Sequence, residues 1–323
     1  MGQNARACRL FLARLRVGSW TVELAGPEGV RPMSCVTAGL NGSPESVAAA
    51  EWAAREALLR AVPLRLVHAD EWPAWATIPA ASAQVRDGWA HGLLAEVAAE
   101  LQQEHPALEI STRLLWGPPA TALSIEAADA DLLVLGSRGL SGVKGFLIGS
   151  VGMATITSTE QPVVLVRAPK QPGEQPPSAP PKPSRDVVVG VDIQHPCDAL
   201  LAFAFDEAAR RDRPLRAVYG WSLPPLARSA PALEEAEREM APDIARRLSE
   251  VLLPWRRRFP SVDVEERSPI GGPAPQLLHA AADAELVVIG RRVRRSPLGT
   301  HIGSVAHAVL HHCPAPVAVI AHG

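Results

Sequence analysis

Several residue types that would point to particular classes of protein are scarce in this 323-residue chain. Its four cysteines form no CxxC pair, which argues against a disulfide framework or a cysteine zinc site, and we expect a reducing, cytoplasmic location. The 32 basic and 34 acidic residues nearly balance, so no basic surface points to nucleic acid. No apolar run approaches the roughly 18 residues of a membrane span. The length suits two domains of about 150 residues.

The first 33 residues precede the first patterned segment of the chain. Arg14 and Arg16 interrupt their apolar part and no small-residue cleavage site follows, so the segment is not typical of a signal peptide. We expect residues 1–33 to be a disordered extension or a misassigned start, with Met33 as the alternative first residue.

The remainder of the chain repeats one pattern twice. Apolar runs typical of strands at residues 34–40, 64–69 and 131–136 are matched at 187–191, 215–220 and 285–290, and segments of helical period lie between them. The first helix is expected to begin after Ser43 as N-cap with Pro44 at its first position, and longer helices are expected near 84–104 and 232–253. Gly136 to Gly149 and Gly290 to Gly303 both span 13 residues.

Each copy alternates five strands with helices, and the strands are apolar throughout. This pattern predicts an α/β fold of two tandem, doubly wound, mainly parallel five-stranded sheets with helices on both faces, a Rossmann-like nucleotide-binding architecture. Residues 169–185 are rich in proline and are expected to form a semi-extended linker. The predicted domains are therefore residues 34–168 and 186–323.

The sequence "GSRGLSGVKGFLIGS" (residues 136–150) links a predicted strand to a helix that opens at Gly149-Ser150. In an open parallel sheet, ligands bind beyond the carboxyl ends of the strands, and a helix N-terminus favours an anion. The intervening residues can arch over a polyphosphate. A glycine-rich βα turn without a ligand explains the same pattern equally well. The stretch is neither a P-loop nor a GxGxxG fingerprint.

The spacing Gly136-x2-Gly139-x9-Gly149-Ser150, together with "VTAGLNGSPES" in the first strand and loop, resembles the universal stress protein family. The resemblance covers residues 34–322 in two tandem copies and implies that ATP binds, with or without Mg²⁺. It places three residues beside the adenosine and a fourth near the adenine: Gly39, Leu40, Asn41 and Ala69. It places the others along the ribose, the phosphates and the phosphate tail: Leu135, Gly136, Arg138, Gly139, Gly149, Ser150, Val151 and Gly152.

Two residues of the first copy depart from the family pattern. Asn41 replaces the usual aspartate, and Gly152 stands where some ATP binders carry a hydroxyl. The second copy departs further, with Val293 at the second glycine position and "IQHP" in place of the small Gly-Ser turn after Asp192. Its four loop arginines either bind an anion by another route or are simply solvated: Arg291, Arg292, Arg294 and Arg295. We expect a nucleotide site in the first copy and a weak or absent one in the second.

Two further clusters have both a functional and a structural interpretation. His307 and His311 share a helical face near Cys313, but no partner completes a metal set, which favours a structural role. Trp72, Trp75 and Trp89 follow the second strand, where they either cover a bound base or serve packing.

The resemblance implies a tandem universal stress protein that binds ATP in its N-terminal domain and acts as a stress-response sensor or regulator. One alternative is a scaffold that binds no nucleotide and uses its two copies as an intramolecular pseudo-dimer for regulatory protein partners. Another is a slow ATPase. No catalytic residue is identifiable, so we expect a binder rather than an efficient enzyme. Family members dimerise through the final strand, which leaves a homodimer open.

Overall fold

A computed structural model describes residues 12–17, 20–25, 34–70, 80–137, 149–168, 186–223, 229–293 and 302–323. The chain divides into two compact units, Met1–Met33 and Ser34–Gly323. In the first unit, β1 (Leu12–Val17) pairs antiparallel with β2 (Trp20–Ala25). The segment expected to be disordered or a misassigned start therefore contains a strand pair.

The second unit contains two successive series of strands and helices. The first series is β3 (Val36–Leu40), α1 (Pro44–Arg60), β4 (Leu64–Asp70), α2 (Ala80–Glu104), β5 (Ile110–Trp116), α3 (Pro119–Ala127), β6 (Leu132–Ser137), α4 (Ser150–Ser158) and β7 (Val163–Arg167). The second is β8 (Val187–Gly190), α5 (Asp198–Arg211), β9 (Leu215–Val218), α6 (Ala230–Glu239), α7 (Ala241–Arg258), β10 (Val264–Arg267), α8 (Pro273–Ala280), β11 (Leu286–Arg292), α9 (Ser304–His312) and β12 (Val317–His322). We call these series the first and second repeat.

Local sequence explains where several helices begin and end. The predicted cap of α1 is confirmed: Ser43 accepts a hydrogen bond from the Ser46 N–H at 3.2 Å, and Pro44 follows in the first turn. The single helix expected near 232–253 is instead two helices, α6 and α7, which meet at Met240. Pro242 explains the break, because proline lacks an N–H and its ring collides with the preceding turn of a continuous helix.

The ten strands that the structure describes in the second unit belong to one sheet, in the order β10-β9-β8-β11-β12-β7-β6-β3-β4-β5. Neighbouring strands within each repeat are parallel, which confirms the predicted fold class. The two repeats join where β7 and β12 pair antiparallel, with Val164 opposite Ala318. The final strand of each repeat thus covers the edge of the other, and the two five-stranded sheets become one.

Buried apolar side chains fill both faces of this sheet. One face packs against α1, α2, α5 and α7, and the other packs against α3, α4, α8 and α9. Helix α1 presents an alanine-rich face, with Ala49, Ala53 and Ala57 fully buried, so its backbone can approach the strands closely. No helix in the described part of the chain has the length and apolar composition that a membrane crossing requires.

Two arginines hold the repeats together beside the β7–β12 pair. Arg167 of the first repeat donates to the Leu310 carbonyl of the second at 2.9 Å, and Arg291 of the second donates to the Thr159 carbonyl of the first at 2.7 Å. Burial lowers the pKa of Arg167 to about 10, so it remains charged at neutral pH. Burial also lowers the pKa of Arg291.

A buried cluster of four charges joins α1 to α5. Glu56 and Arg60 of the first repeat correspond to Glu207 and Arg211, 151 residues later. Each arginine pairs both with the glutamate of its own helix and with the glutamate of the other helix. We call this group the charge quartet. Because each member is buried, removing one partner would leave an uncompensated charge away from water.

We predict that Arg211→Met destabilises the protein by about 3–5 kcal/mol, because it removes one positive charge from the buried quartet. The matched control is Arg210→Met, at the preceding position of α5, where the arginine pairs with Asp206 at the surface. The expected loss of stability for this control is at most about 0.5 kcal/mol. Urea unfolding measures both. Equal losses for the two variants would contradict a stabilising role of the quartet.

Candidate functional site

The strand order creates a topological switch point in the first repeat, between β3 and β6. The chain leaves β3 toward β4 and β5 and then returns to the other side of β3 as β6. Gly39 on β3 lies opposite Leu135 on β6, so the carboxyl ends of these two neighbouring strands lie side by side. Ligands of doubly wound sheets bind at this location. The structure therefore brings together five of the predicted site residues: Gly39, Leu40, Asn41, Leu135 and Gly136.

Gly136 has a packing role that the sequence does not reveal. A Cβ added here would lie 2.6 Å from the Glu45 carbonyl carbon and 2.7 Å from the Ser46 nitrogen, both in the first turn of α1. Only glycine permits this approach of helix to strand. The close packing against α1 is by itself sufficient to require glycine at this position.

Asn41 forms the turn between β3 and α1. Its side-chain oxygen accepts from the Ser43 N–H at 3.1 Å, and its own backbone N–H donates to the Ser46 hydroxyl at 3.3 Å. In the second repeat, Asp192 has the equivalent role and accepts from the Gln194 N–H at 2.9 Å. Because the oxygen of Asn41 is engaged in the turn, its amide nitrogen offers a donor where Asp192 offers a second acceptor.

The carboxyl end of β4 forms the neighbouring wall. Ala69, predicted to lie near the adenine, is half-buried there, between His68 and Asp70. The His68 ring contacts the Trp89 ring edge to face at 5.4 Å, and its Nδ1 lies 2.8 Å from the Leu40 carbonyl oxygen. Trp89 is 52% exposed, so it packs at the rim and not in the core. Trp72 and Trp75 lie outside the described residues.

Helix α4 supplies the predicted phosphate end of the site. It begins at Ser150, with Gly149 as N-cap, and no side chain of the described residues caps its first N–H groups. Ser150 and Val151 are exposed and Gly152 is buried. Uncapped N–H groups and the helix dipole together favour an anion at this end. Arg138 and Gly139 lie outside the described residues.

The second repeat contains a cavity of about 550 Å³ at its own switch point, between β8 and β11. This volume lies within the range of small-molecule sites. Its walls come from the ends of β8, β9, β11 and β12 and from the first residues of α5, α8 and α9. The lining residues are Gly190, Val191, Asp192, Gln194, His195, Cys197, Leu200, Leu201, Val218, Tyr219, Gly220, Pro273, Leu277, Ile289, Gly290, Arg292, Gly303, Ser304, Val305, Ala306 and His322.

The two switch points differ because α5 begins one turn later than α1. Cys197, the N-cap of α5, stands 151 residues after Ser46, which lies inside α1, and the helices have 14 and 17 residues. A Cβ added to Gly290 would meet the His322 Nε2 at 3.0 Å, whereas the equivalent Gly136 meets helical backbone. Pro196 explains the late start, because it disfavours helical backbone at the residue before it.

Sequence reasoning named Asp192 and Arg292 but missed other residues that line this cavity, above all His322 and Cys197. The available signal was Pro196, which stands 151 residues after Glu45 in the first turn of α1. One of the four candidate anion-binding arginines must also be reassigned, because Arg291 is buried and donates to the Thr159 carbonyl of the first repeat. Arg292 lines the cavity, while Arg294 and Arg295 lie outside the described residues.

The histidine cluster of α9 has a local packing arrangement. The rings of His307 and His311 lie 4.3 Å apart between centroids. Burial raises the pKa of the Cys313 thiol to about 11, so it stays protonated at neutral pH and is a poor metal ligand. Among the described residues, no group of three histidine, cysteine, aspartate or glutamate side chains is arranged to hold a metal ion.

We predict that Gly136→Ala and Gly290→Ala differ in their effect on stability. The first places a Cβ against the backbone of α1 and should lower the free energy of unfolding by about 1–3 kcal/mol. The second meets the movable His322 ring, with the Leu200 side chain at an ordinary contact distance of 3.7 Å, and should change the free energy of unfolding by less than about 1 kcal/mol. Thermal and urea unfolding measure both. Similar losses would show that α1 does not set the requirement for glycine at 136.

The fold and the switch-point geometry define a class of tandem, doubly wound α/β proteins. Comparison with known families identifies one family within this class. The model of the universal stress protein family matches residues 35–167 and again residues 183–321. The chain belongs to the universal stress protein family.

Relatives and solved structures agree with this assignment. The chain is 34% identical over 308 residues to Universal stress protein Rv1996 of Mycobacterium tuberculosis (strain ATCC 25618 / H37Rv). The aligned region covers 88% of this chain and 94% of the relative. It is 31% identical over 299 residues to Universal stress protein Rv2623 of the same strain, covering 88% and 95%.

Two solved structures share the fold across both repeats. A universal stress protein from Archaeoglobus fulgidus DSM 4304 has a TM-score of 0.63 at 17% identity and covers 90% of this chain and 98% of its own. A universal stress protein from Pseudomonas aeruginosa UCBPP-PA14 has a TM-score of 0.53 at 16% identity and covers 90% and 93%. At these identities the likeness concerns the fold alone.

Proposed function

We propose that this universal stress protein binds ATP in its first repeat and acts as a stress-response sensor or regulator. The observation that carries the proposal is that β3 and β6 end side by side at a switch point, while α4, the helix that follows β6 in the chain, begins with N–H groups that no described side chain caps. A nucleotide needs a surface for its base and a set of donors for its phosphates, and these elements offer both.

Each described residue has a defined task in this proposal. Gly39 and Leu40 provide a flat backbone surface beside the adenosine, with Ala69 at the adenine. Asn41 donates from its amide nitrogen, in place of the acceptor that an aspartate would supply. Ser150 and the backbone N–H groups of Val151 and Gly152 bind the phosphate tail.

The proposed residues fit a polyphosphate better than they fit a metal ion. They include no carboxylate, because Asn41 stands in place of the family's aspartate. Mg²⁺ would therefore reach the site on the phosphates of the nucleotide and not through ligands of this set.

Isothermal titration with ATP tests the proposal. Gly149→Val places a branched side chain at the N-cap of α4, beside the expected phosphates, and should weaken ATP binding in the first repeat by at least about tenfold. The matched control is Gly303→Val, at the same position of α9, where an added Cβ meets nothing within 4 Å. This control should leave the affinity of the first repeat unchanged.

Two results of this titration would contradict the proposal. One is the absence of saturable heat at millimolar ATP, and the other is an unchanged ATP affinity in the Gly149→Val variant. The scaffold alternative would then gain weight. Its starting point would be two exposed apolar side chains, Trp116, which is 60% exposed, and Val85, which is 75% exposed.

A further inference from the structure

The final strands of the two repeats are not open to a second chain, because β7 and β12 pair with each other. Another chain can extend the ten-stranded sheet only at its outer strands, which are β5 and β10. An outer strand presents unpaired backbone N–H and C=O groups, which act as a template for a further strand. The two outer strands differ in how well these groups are protected.

Strand β10 is short and its outer side is blocked. It has four residues, three of them charged. The backbone groups of Asp263 and Arg267 bond to β9, which turns the alternate residues Val264 and Glu266 outward. The Arg256 guanidinium of α7 donates to the Val264 carbonyl oxygen at 2.7 Å and lies 3.2 Å from a Glu266 carboxylate oxygen. Short length, charge and a covering side chain all oppose pairing with another strand.

Strand β5 is longer and its outer side is open. It has seven residues without proline, and Arg113 is its one charged residue. The backbone groups of Glu109 and Gly117 bond to β4, so the alternate residues turn their backbone groups outward. These outward residues are Ile110, Thr112, Leu114 and Trp116. No group in the described part of the chain bonds to their backbone N–H or C=O.

The middle of β5 is also accessible from both faces of the sheet. Helices α2 and α3 pack on opposite faces, yet the side chains of Ser111, Thr112 and Arg113 are exposed. Arg113 pairs with Glu126 of α3 at 2.9 Å and keeps 55% of its side chain exposed. Neither helix therefore covers the centre of the strand.

Two copies of β5 can pair antiparallel about a twofold axis only if outward residues lie opposite outward residues. An axis through Arg113 places two like charges directly opposite each other, which is unfavourable. An axis through Leu114 brings no acidic residue near Arg113. An axis through Ser111 pairs Ile110 with Thr112 and leaves Leu114 without a partner.

An axis through Thr112 avoids all of these faults. It places Ile110 opposite Leu114 and the two Thr112 residues opposite each other, which gives about six backbone hydrogen bonds. Glu109 of the second copy then lies diagonal to Arg113, so unlike charges come within reach across the pair. The edge of β5 is therefore complementary to itself in this register.

We propose that two copies of this chain form a dimer by pairing their β5 strands antiparallel, with Thr112 on the twofold axis. The pairing joins the two ten-stranded sheets edge to edge. Because backbone bonds supply most of the contact and the interface is small, we expect a dissociation constant on the order of 10 µM. The dimer goes beyond the proposed function and does not depend on ATP binding in the first repeat.

Sedimentation equilibrium of the full-length protein without nucleotide, from about 1 to 200 µM, measures this dimer. Thr112→Pro removes the N–H that each copy donates across the axis and should raise the dissociation constant at least about tenfold. The same N–H faces away from β4, so proline leaves the bonds within the sheet intact. The matched control Thr112→Val keeps the N–H and should change the constant less than about threefold. Urea unfolding checks that each variant is folded.

Disulfide trapping tests the register separately. In this register the two Thr112 Cα atoms lie about 5.5 Å apart, which suits a disulfide, so Thr112→Cys should link two chains on mild oxidation. Ser111→Cys is the matched control, because its two copies lie diagonal to each other, beyond the roughly 7 Å that a disulfide spans. Peptide mass spectrometry distinguishes the introduced link from links through the native cysteines.

Three outcomes would overturn the proposal. The first is a monomer over the whole concentration range. The second is a folded Thr112→Pro variant that dimerises as tightly as the unaltered protein, since the dimer would then use another surface. The third is linkage of Ser111→Cys as efficient as that of Thr112→Cys. Each is measured without nucleotide and is therefore separate from the titration that tests ATP binding.

Discussion

The antiparallel pairing of β7 with β12 is the interaction on which the rest of the second unit depends. An unpaired edge of buried, apolar strands invites association with other chains, and here each repeat covers the edge of the other. Arg167, Arg291 and the charge quartet lie between the repeats that this pairing unites. Because β7 and β12 run antiparallel, the strands of the two repeats point in opposite directions. The carboxyl ends of the two sets of parallel strands therefore lie at opposite ends of the strands of the sheet. The two switch points therefore lie at opposite ends of the strands.

The duplicated scaffold is nearly symmetric, but its two switch points are not. In the first repeat, the opening turn of α1 packs against Gly136, and the glycine-spaced segment leads to α4. In the second, Pro196 delays α5, and the cavity opens over Gly290 with histidines at its walls. A single change in where a helix begins thus alters the shape of the switch point and the side chains that line it.

Much of this architecture follows from local sequence. The apolar strands, the duplication and the Ser43 cap are visible because each depends on residues close together in the chain. The single ten-stranded sheet is not visible in the local sequence. Uniformly apolar strands indicate burial on both faces, but they do not indicate which strand pairs with the outer strand of each repeat. The break at Met240 and the cavity do not follow from hydrophobic periodicity, because each depends on a single proline within a helical pattern. Pro242 ends the continuous helix at Met240, and Pro196 delays the start of α5. The packing of Gly136 against Glu45 depends on tertiary approach alone.

The central claim is that the first repeat of this universal stress protein holds a nucleotide at its switch point. The most direct measurement is a crystal structure of the full chain grown with saturating ATP. The account predicts phosphate density at the N-terminus of α4, beside Ser150, with the adenosine against Gly39 and Ala69. A first repeat without nucleotide, in crystals whose contacts leave that edge of the sheet open, would contradict it.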